Sequence, residues 1–165
     1  MSYIIRPIET TDEPFLWEML YLALYVPPED EPLPRNIILQ PELAKYVENW
    51  QPDRDLGAIS VLETDRTPVG AAWLTLFNQS NPGYGYINER TPELTIAVLP
   101  EYRGRGIGTK LLTQLLSQAK NHYYQVSLSV SLDNPALRLY RRLGFQAIAK
   151  HSNSLTMSRA TRIQI

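Results

Sequence analysis

Apolar residues recur along this chain with two alternating periods, and the change of period marks out the elements. Tyr3-Ile4-Ile5-Arg6 with Ile8 predicts a first strand, ended by Pro7 and the polar run Thr10-Thr11-Asp12. Phe15, Leu16, Met19, Leu20, Ala23 and Leu24 then form a helical stripe. Thr11 or Asp12 is placed to cap that helix, Glu13 falls in its first turn, and Trp17, Glu18 and Tyr21 are expected exposed at its sides. A second helix is predicted from about Pro41 to Trp50 on Leu43, Ala44, Val47 and Trp50. Leu56 to Leu62 and Val69 to Phe77 read as strands around the polar turn Thr64-Asp65-Arg66-Thr67, an antiparallel hairpin.

Past the middle, Glu93-Leu94-Thr95-Ile96-Ala97-Val98 is a near-continuous apolar strand. It leads into a helix carrying Leu111, Leu112, Leu115, Leu116 and Ala119 on one face, with a start expected at Gly108 or Thr109. Val126 to Val130 alternates as a strand does, Ala136 to Leu143 is a short helix closed by Gly144 at C′, and Phe145 to Ala149 opens another strand. Leu155 and Met157 belong to a last one. Two stretches fit neither period. Pro27 to Pro34 is excluded from helix and ladder by its prolines, and Asn78 to Arg90 is a polar loop, rich in glycine and tyrosine. That second loop reads as an acceptor-site loop or as a hairpin tip.

Composition narrows the class of protein. At 165 residues the chain is expected to form one domain, 1–165, large enough for a full core. A net charge of −1 gives no field that favours nucleic acid or an anionic membrane. Without cysteine there is no disulfide or thiolate chemistry, and with two histidines, His122 and His151, lacking ligand spacing, no metal is expected. No apolar run is long enough to span a bilayer and no basic, apolar leader opens the chain, so a cytoplasmic protein is expected.

The chemistry concentrates between strand and helix, at Arg103-Gly104-Arg105-Gly106-Ile107-Gly108. Glycines let the backbone turn tightly and clear side chains from its amides, and the following helix N-terminus has unpaired N–H groups and the positive end of its dipole. That combination cradles a phosphate. A P-loop requires Gly-x-x-x-x-Gly-Lys-Ser/Thr, which the chain lacks, and a Rossmann turn reads Gly-x-Gly-x-x-Gly where this one reads Gly-x-Gly-x-Gly.

Arg103-x-x-Gly106-x-Gly108 instead resembles the coenzyme A pyrophosphate loop of the GNAT family of acyl-coenzyme A N-acetyltransferases. Asn134-Pro135-Ala136-Leu137-Arg138-Leu139-Tyr140-Arg141-Arg142-Leu143-Gly144-Phe145 is similar to that family's second signature. With the N-terminal strand and helix, the resemblance covers essentially the whole chain. It implies an α+β, three-layer fold: a mixed, mostly antiparallel sheet flanked by helices, with two splayed central strands ending near Val98 and Val130. Acetyl-coenzyme A would lie in the wedge, its pantetheine arm on the backbone of Ile96, Ala97 and Val98. Its pyrophosphate would sit on the amides of Arg103, Gly104, Arg105, Gly106, Ile107, Gly108 and Thr109. Asn134 would touch the cofactor arm, although one residue is missing between Asn134 and Tyr140 relative to many members.

The same resemblance implies direct acetyl transfer to a primary amine of a small molecule or peptide. An amine of the lysine type, with a pKa of about 10.4, must lose a proton first. Glu93, at the mouth of the central strand, is the candidate base, and a backbone N–H near Val98 the candidate oxyanion donor. Tyr140 holds the family's position for the acid that protonates the departing sulfur. Tyr25, Tyr46 and Trp50 face the acceptor or simply pack. A homodimer through C-terminal strand edges is also implied. The second function consistent with these residues is a coenzyme A-binding sensor without turnover, and the third a site for another nucleotide.

Overall fold

The computed structural model describes residues 1–162. Seven strands form one sheet in the order β1-β2-β3-β4-β5-β7-β6: β1 Tyr3–Pro7, β2 Gly57–Leu62, β3 Pro68–Thr75, β4 Glu93–Val98, β5 Gln125–Ser131, β6 Gln146–His151 and β7 Ser154–Ala160. Every pairing is antiparallel except β4 with β5. The hairpin expected from the short Thr64–Thr67 turn is β2–β3, whose ladder slips at Ser60/Val61. Gln146 to His151 is exposed along its whole length, and β6 and β1 form the two edges of the sheet.

Period-2 alternation sends each strand's apolar residues to both faces, and the helices cover them. On one face α3 (Ile107–Ala119) buries Ile107, Leu111, Leu112, Leu115, Leu116 and Ala119 against Ala58, Ala72, Leu74 and Leu94. Each leucine so buried contributes roughly 1.5–3 kcal/mol of transfer free energy. On the other face α1 (Glu13–Ala23) and α2 (Pro41–Glu48) set Leu16, Met19, Leu20, Tyr46 and Val47 against Ile59, Val61, Ala71, Trp73 and Ala97. Neither Thr11 nor Asp12 caps α1 with its side chain. Asp12 instead accepts from the Glu9 amide at 2.8 Å and pairs with both Arg6 nitrogens at 2.7 and 2.9 Å, tying β1 to the helix entrance. Trp17, Glu18 and Tyr21 are half-buried rather than exposed, because Trp17 packs on the α1 cluster and Tyr21 donates to the Leu33 carbonyl at 2.6 Å. The proline-rich connection so anchored ends in a 3-10 turn, Arg35–Leu39.

The feature that makes room for chemistry is the β4–β5 junction. These strands meet only at Glu93↔Ser127 and then part. Gly85 explains how the wedge is held open: a Cβ there would lie 2.7 Å from the Leu128 carbonyl carbon and 2.9 Å from the Ser129 nitrogen. Only a residue without a side chain lets the 78–90 loop press its backbone against β5 just beyond the last ladder pair. Gly85 is therefore buried, although the loop's polarity and glycine content argue against a place in the core.

Candidate active site

Two cavities open along the wedge and share a wall. The larger, about 850 Å³, runs from the glycine loop past Ile96, Ala97 and Val98 to Asn134, Leu139 and Tyr140. The smaller, about 180 Å³, is lined by Tyr25, Leu43, Tyr46, Tyr84, Glu93, Thr95 and Ser129. Ala23, Tyr25, Ile96, Asn134 and Tyr140 line both.

At the loop end, α3 starts at Ile107, earlier than periodicity predicts, because Gly106 adopts φ +81° as its N-cap and lets the helix begin directly. Gly104 is also left-handed at φ +75°, and a Cβ on either glycine would meet nothing within 4 Å, so the loop presents bare backbone to open space. Among the described residues, no carbonyl or side chain accepts from the amides of Gly104 to Thr109; Lys110 is the first to bond back, to Gly106 O at 3.1 Å. Arg103 differs from its neighbours. Its amide closes the Pro100–Tyr102 turn at 3.3 Å, and its Nε donates to the Val98 carbonyl at 3.2 Å.

Along β4 the peptide groups alternate between neighbours. The Leu99 amide donates to Val69 O at 2.8 Å, which fixes the phase: Thr95 and Ala97 turn their N–H and C=O to β3, whereas Ile96 and Val98 turn theirs into the wedge. Of the three residues expected on the cofactor arm, Ile96 and Val98 thus expose peptide groups, and Ala97 contributes its position in the wall. Asn134 Oδ1 accepts from the Ala136 amide at 2.9 Å and starts α4 (Ala136–Arg142), leaving the Asn134 NH2 without a partner among the described residues.

Tyr140 is fixed by the end of α4. Phe145 N–H donates to Tyr140 O at 2.9 Å and Gly144 N–H to Arg141 O at 3.0 Å, with Gly144 at φ +97°, the paired bonds of a Schellman ending. Phe145 also packs edge-on to the Tyr140 ring at 6.0 Å. The ring is 8% exposed, its Oη has no protein partner among the described residues, and burial pushes its pKa up to about 12. The phenol therefore keeps its proton at any ordinary pH.

Glu93 is not a solvated strand-start residue. It is 4% exposed, Oε2 accepts from the Tyr46 hydroxyl at 2.5 Å, and Oε1 accepts from the Gly85 amide at 2.9 Å. Burial disfavours the charged form and raises the pKa to about 7, opposed by the Tyr46 and Gly85 hydrogen bonds and the charge of Lys45. A carboxylate poised there can take a proton near neutrality. Of the three aromatics considered for the acceptor side, Tyr25 and Tyr46 line the smaller cavity, while Trp50 is core, its indole N–H bonded to Leu74 O at 3.0 Å. Sequence periodicity missed the partnership of Tyr46, Tyr84 and Gly85 with Glu93. Only the unusual glycine content of the loop hinted at it. Among the described residues no group of acidic, histidine or cysteine side chains is arranged for a metal, and no helix is long and apolar enough to cross a membrane.

A mixed sheet splayed at its one parallel pair, with a bare-backbone glycine turn beside the gap, is the architecture of acyl-coenzyme A transferases. The chain belongs to the GNAT acetyltransferase family, whose sequence profile, described as Acetyltransferase (GNAT) family, matches residues 17–145. The N-alpha-acetyltransferase RimI of Mycobacterium tuberculosis is 46% identical over 74 residues, which covers 40% of this chain and 46% of that protein. The chain thus spans about half the length of the curated relatives it matches. Among solved structures, a putative acetyltransferase of Salmonella typhimurium with its cofactor acetyl-CoA superposes with a TM-score of 0.70 at 20% identity, covering 100% and 97% of the two chains. The ribosomal-protein-S18-alanine N-acetyltransferase of Escherichia coli gives 0.66 at 19%, covering 99% and 96%. At these identities the structures establish the fold.

Proposed function

We propose that the protein transfers the acetyl group of acetyl-coenzyme A to a primary amine by direct attack in a ternary complex. The observation that carries this reading is the shared wall: Tyr140 and Ile96 stand where a cavity floored by unpaired loop amides meets a chamber holding a buried carboxylate. Acetyl-coenzyme A brings the activated thioester. The amides of Gly104 to Thr109 receive its pyrophosphate, with Arg103 and Arg105 alongside, and the wedge-facing peptide groups of Ile96 and Val98 hold its arm as a strand would. Asn134 offers its free NH2 to that arm. Glu93 takes a proton from the amine, the Val98 amide faces negative charge developing on the acyl oxygen, and Tyr140 donates to the departing sulfur.

The base also favours one kind of amine. A peptide α-amino group, with a pKa of about 8, lies roughly one unit from Glu93, whereas a lysine amine lies more than three units away. Among the described residues lining the chamber there is no Lys, Arg or His to pair with a carboxylate beside the amine. A peptide N-terminus therefore fits better than a free amino acid, in keeping with the N-alpha-acetyltransferase names of the relatives. In a mass-spectrometric assay with acetyl-coenzyme A, short peptides beginning in Ala or Ser are modified at the α-amine, with kcat/KM at least about tenfold above the free amino acids. Preferential modification of free amino acids, or of lysine side chains, would reverse this assignment. Heat of acetyl-coenzyme A binding without thiol release on any amine would instead favour the sensor function.

Gly108 tests the cradle separately from folding. A Cβ there would sit 3.9 Å from Leu139 Cδ2 and 4.0 Å from Val98 Cγ2, ordinary contact distances, and alanine is the better helix former by up to about 1 kcal/mol. Because Cβ atoms tilt toward a helix N-terminus, the methyl projects toward the cradle. Gly108→Ala is expected to keep or raise Tm while weakening coenzyme A binding at least about tenfold by calorimetry. Unchanged affinity would move the pyrophosphate elsewhere.

A further inference from the structure

Tyr46 does not need its hydroxyl to fill space. Its ring already packs edge-on against Phe77 at 4.8 Å, and phenylalanine would do the same. A buried hydroxyl without partners would be costly, yet this one is fully used: it accepts from the Tyr84 amide at 2.8 Å and donates to Glu93 Oε2 at 2.5 Å. The backbone beneath it is anchored to the sheet, where Tyr46 O accepts from the Trp73 indole at 2.9 Å and from the Thr75 hydroxyl at 3.4 Å. Lys45, the preceding residue, ties α2 to the loop through Asn81 and the Pro82 carbonyl. The loop's approach is as close as chemistry allows, since a Cβ on Gly83 would meet Glu93 Oε1 at 2.3 Å.

Building on the transferase reading above, we propose that Tyr46 is a positioning residue for the base. Its hydroxyl holds the Glu93 carboxylate in the chamber and, together with the Gly85 amide, sets the pH at which that carboxylate takes a proton. The hydrogen bonds run in one direction, Tyr84 N–H to Tyr46 Oη and Tyr46 O–H to Glu93 Oε2, so each strengthens the next. Among the described residues, the other charged or titratable groups around Glu93 are Lys45 from α2, Tyr84 from the loop, Tyr25 after α1 and Tyr140 from α4; β5 contributes Ser127 as ladder partner and Ser129 and Ser131 in the chamber wall. Tyr46 is the one side chain among them that donates directly to the carboxylate.

The test titrates protein carrying 13Cδ-labelled glutamate by NMR, with the Glu93 signal assigned by its loss in Glu93→Gln. Wild type is expected to titrate near 7, and Tyr46→Phe about one pH unit higher, the size of one lost hydrogen bond to a charged acceptor. Incorporating 3-fluorotyrosine at position 46, a stronger donor of nearly the same shape, moves the midpoint down and decides the matter if Tyr46→Phe fails to fold. One midpoint common to all the proteins, or a downward shift in Tyr46→Phe, overturns the proposal. These readouts need neither acceptor nor coenzyme, so they stand apart from the transferase reading. Kinetics with acetyl-coenzyme A and an Ala-initiated peptide add a second arm. The acid limb of kcat/KM should move up with the NMR midpoint, with a loss of about fivefold at pH 7 that recovers by pH 9. A loss independent of pH would mark a merely structural tyrosine and overturn the assignment.

Discussion

Tyr140→Phe is expected to lower turnover about a hundredfold with saturating acetyl-coenzyme A, while leaving its dissociation constant within about twofold of wild type. Removing a general acid typically costs 10²–10⁴-fold. The lower end applies because burial, which pushes the phenol up to about 12, makes Tyr140 a weak acid that is always protonated. A thiol resembling cysteine has a pKa near 8.5 in water, but the same dry wall that raises the tyrosine raises the thiol as well, which narrows the mismatch. Binding is spared because the phenylalanine ring keeps the contact with Phe145, and the Schellman bonds involve backbone alone. Stopped assays of free thiol, paired with calorimetry, separate the two quantities. Unchanged turnover removes Tyr140 from the chemistry, and loss of affinity would make it a binding residue.

Glu93→Gln is expected to lower kcat/KM for an Ala-initiated peptide about a hundredfold at pH 7, and much less at pH 9.5, where the α-amine has already lost its proton. Wild type should rise with pH up to about 7, whereas the variant follows the amine's own titration. A pH-independent deficit would argue for a structural role. Stability carries the opposite sign. The carboxyl is raised from 4.5 to about 7 in the folded protein, so between these values the folded state retains a proton that the unfolded chain has released. Wild-type stability from this group is complete below about 4.5 and falls as pH rises through about 7. The change is on the order of 3 kcal/mol at about 1.4 kcal/mol per pH unit. Glutamine does not titrate, so the Tm of Glu93→Gln relative to wild type should increase between pH 5 and about pH 7 and level off by pH 9. A constant difference in Tm would show that Glu93 titrates in the ordinary carboxylate range.

Local periodicity predicted the four α-helices and seven strands of the described residues with ends displaced by a few residues. The displacements have local causes: Gly106 starts α3 early through its left-handed backbone, and β3 stops at Thr75, where its register with Glu93 ends. The burial of Trp17 and Tyr21 was not readable, because it depends on contacts with the α1 cluster and with Leu33, both contributed from elsewhere in the fold.

The glycine loop and the Asn134 to Phe145 segment are legible because their work is local. A left-handed glycine, a helix N-terminus and a Schellman ending are specified within a few consecutive residues. By itself the sequence therefore determined the bare-backbone glycine turn and the place of Tyr140. Tertiary structure decided the rest. Glu93 becomes a buried acid near 7 because the packed fold desolvates it, while the hydrogen bonds that Tyr46, 47 positions earlier, and Gly85 donate to its two oxygens hold it back from a higher value. Desolvation and the direction of a hydrogen bond are properties of neighbours in space, and the alternation of apolar and polar residues along a strand carries no record of them.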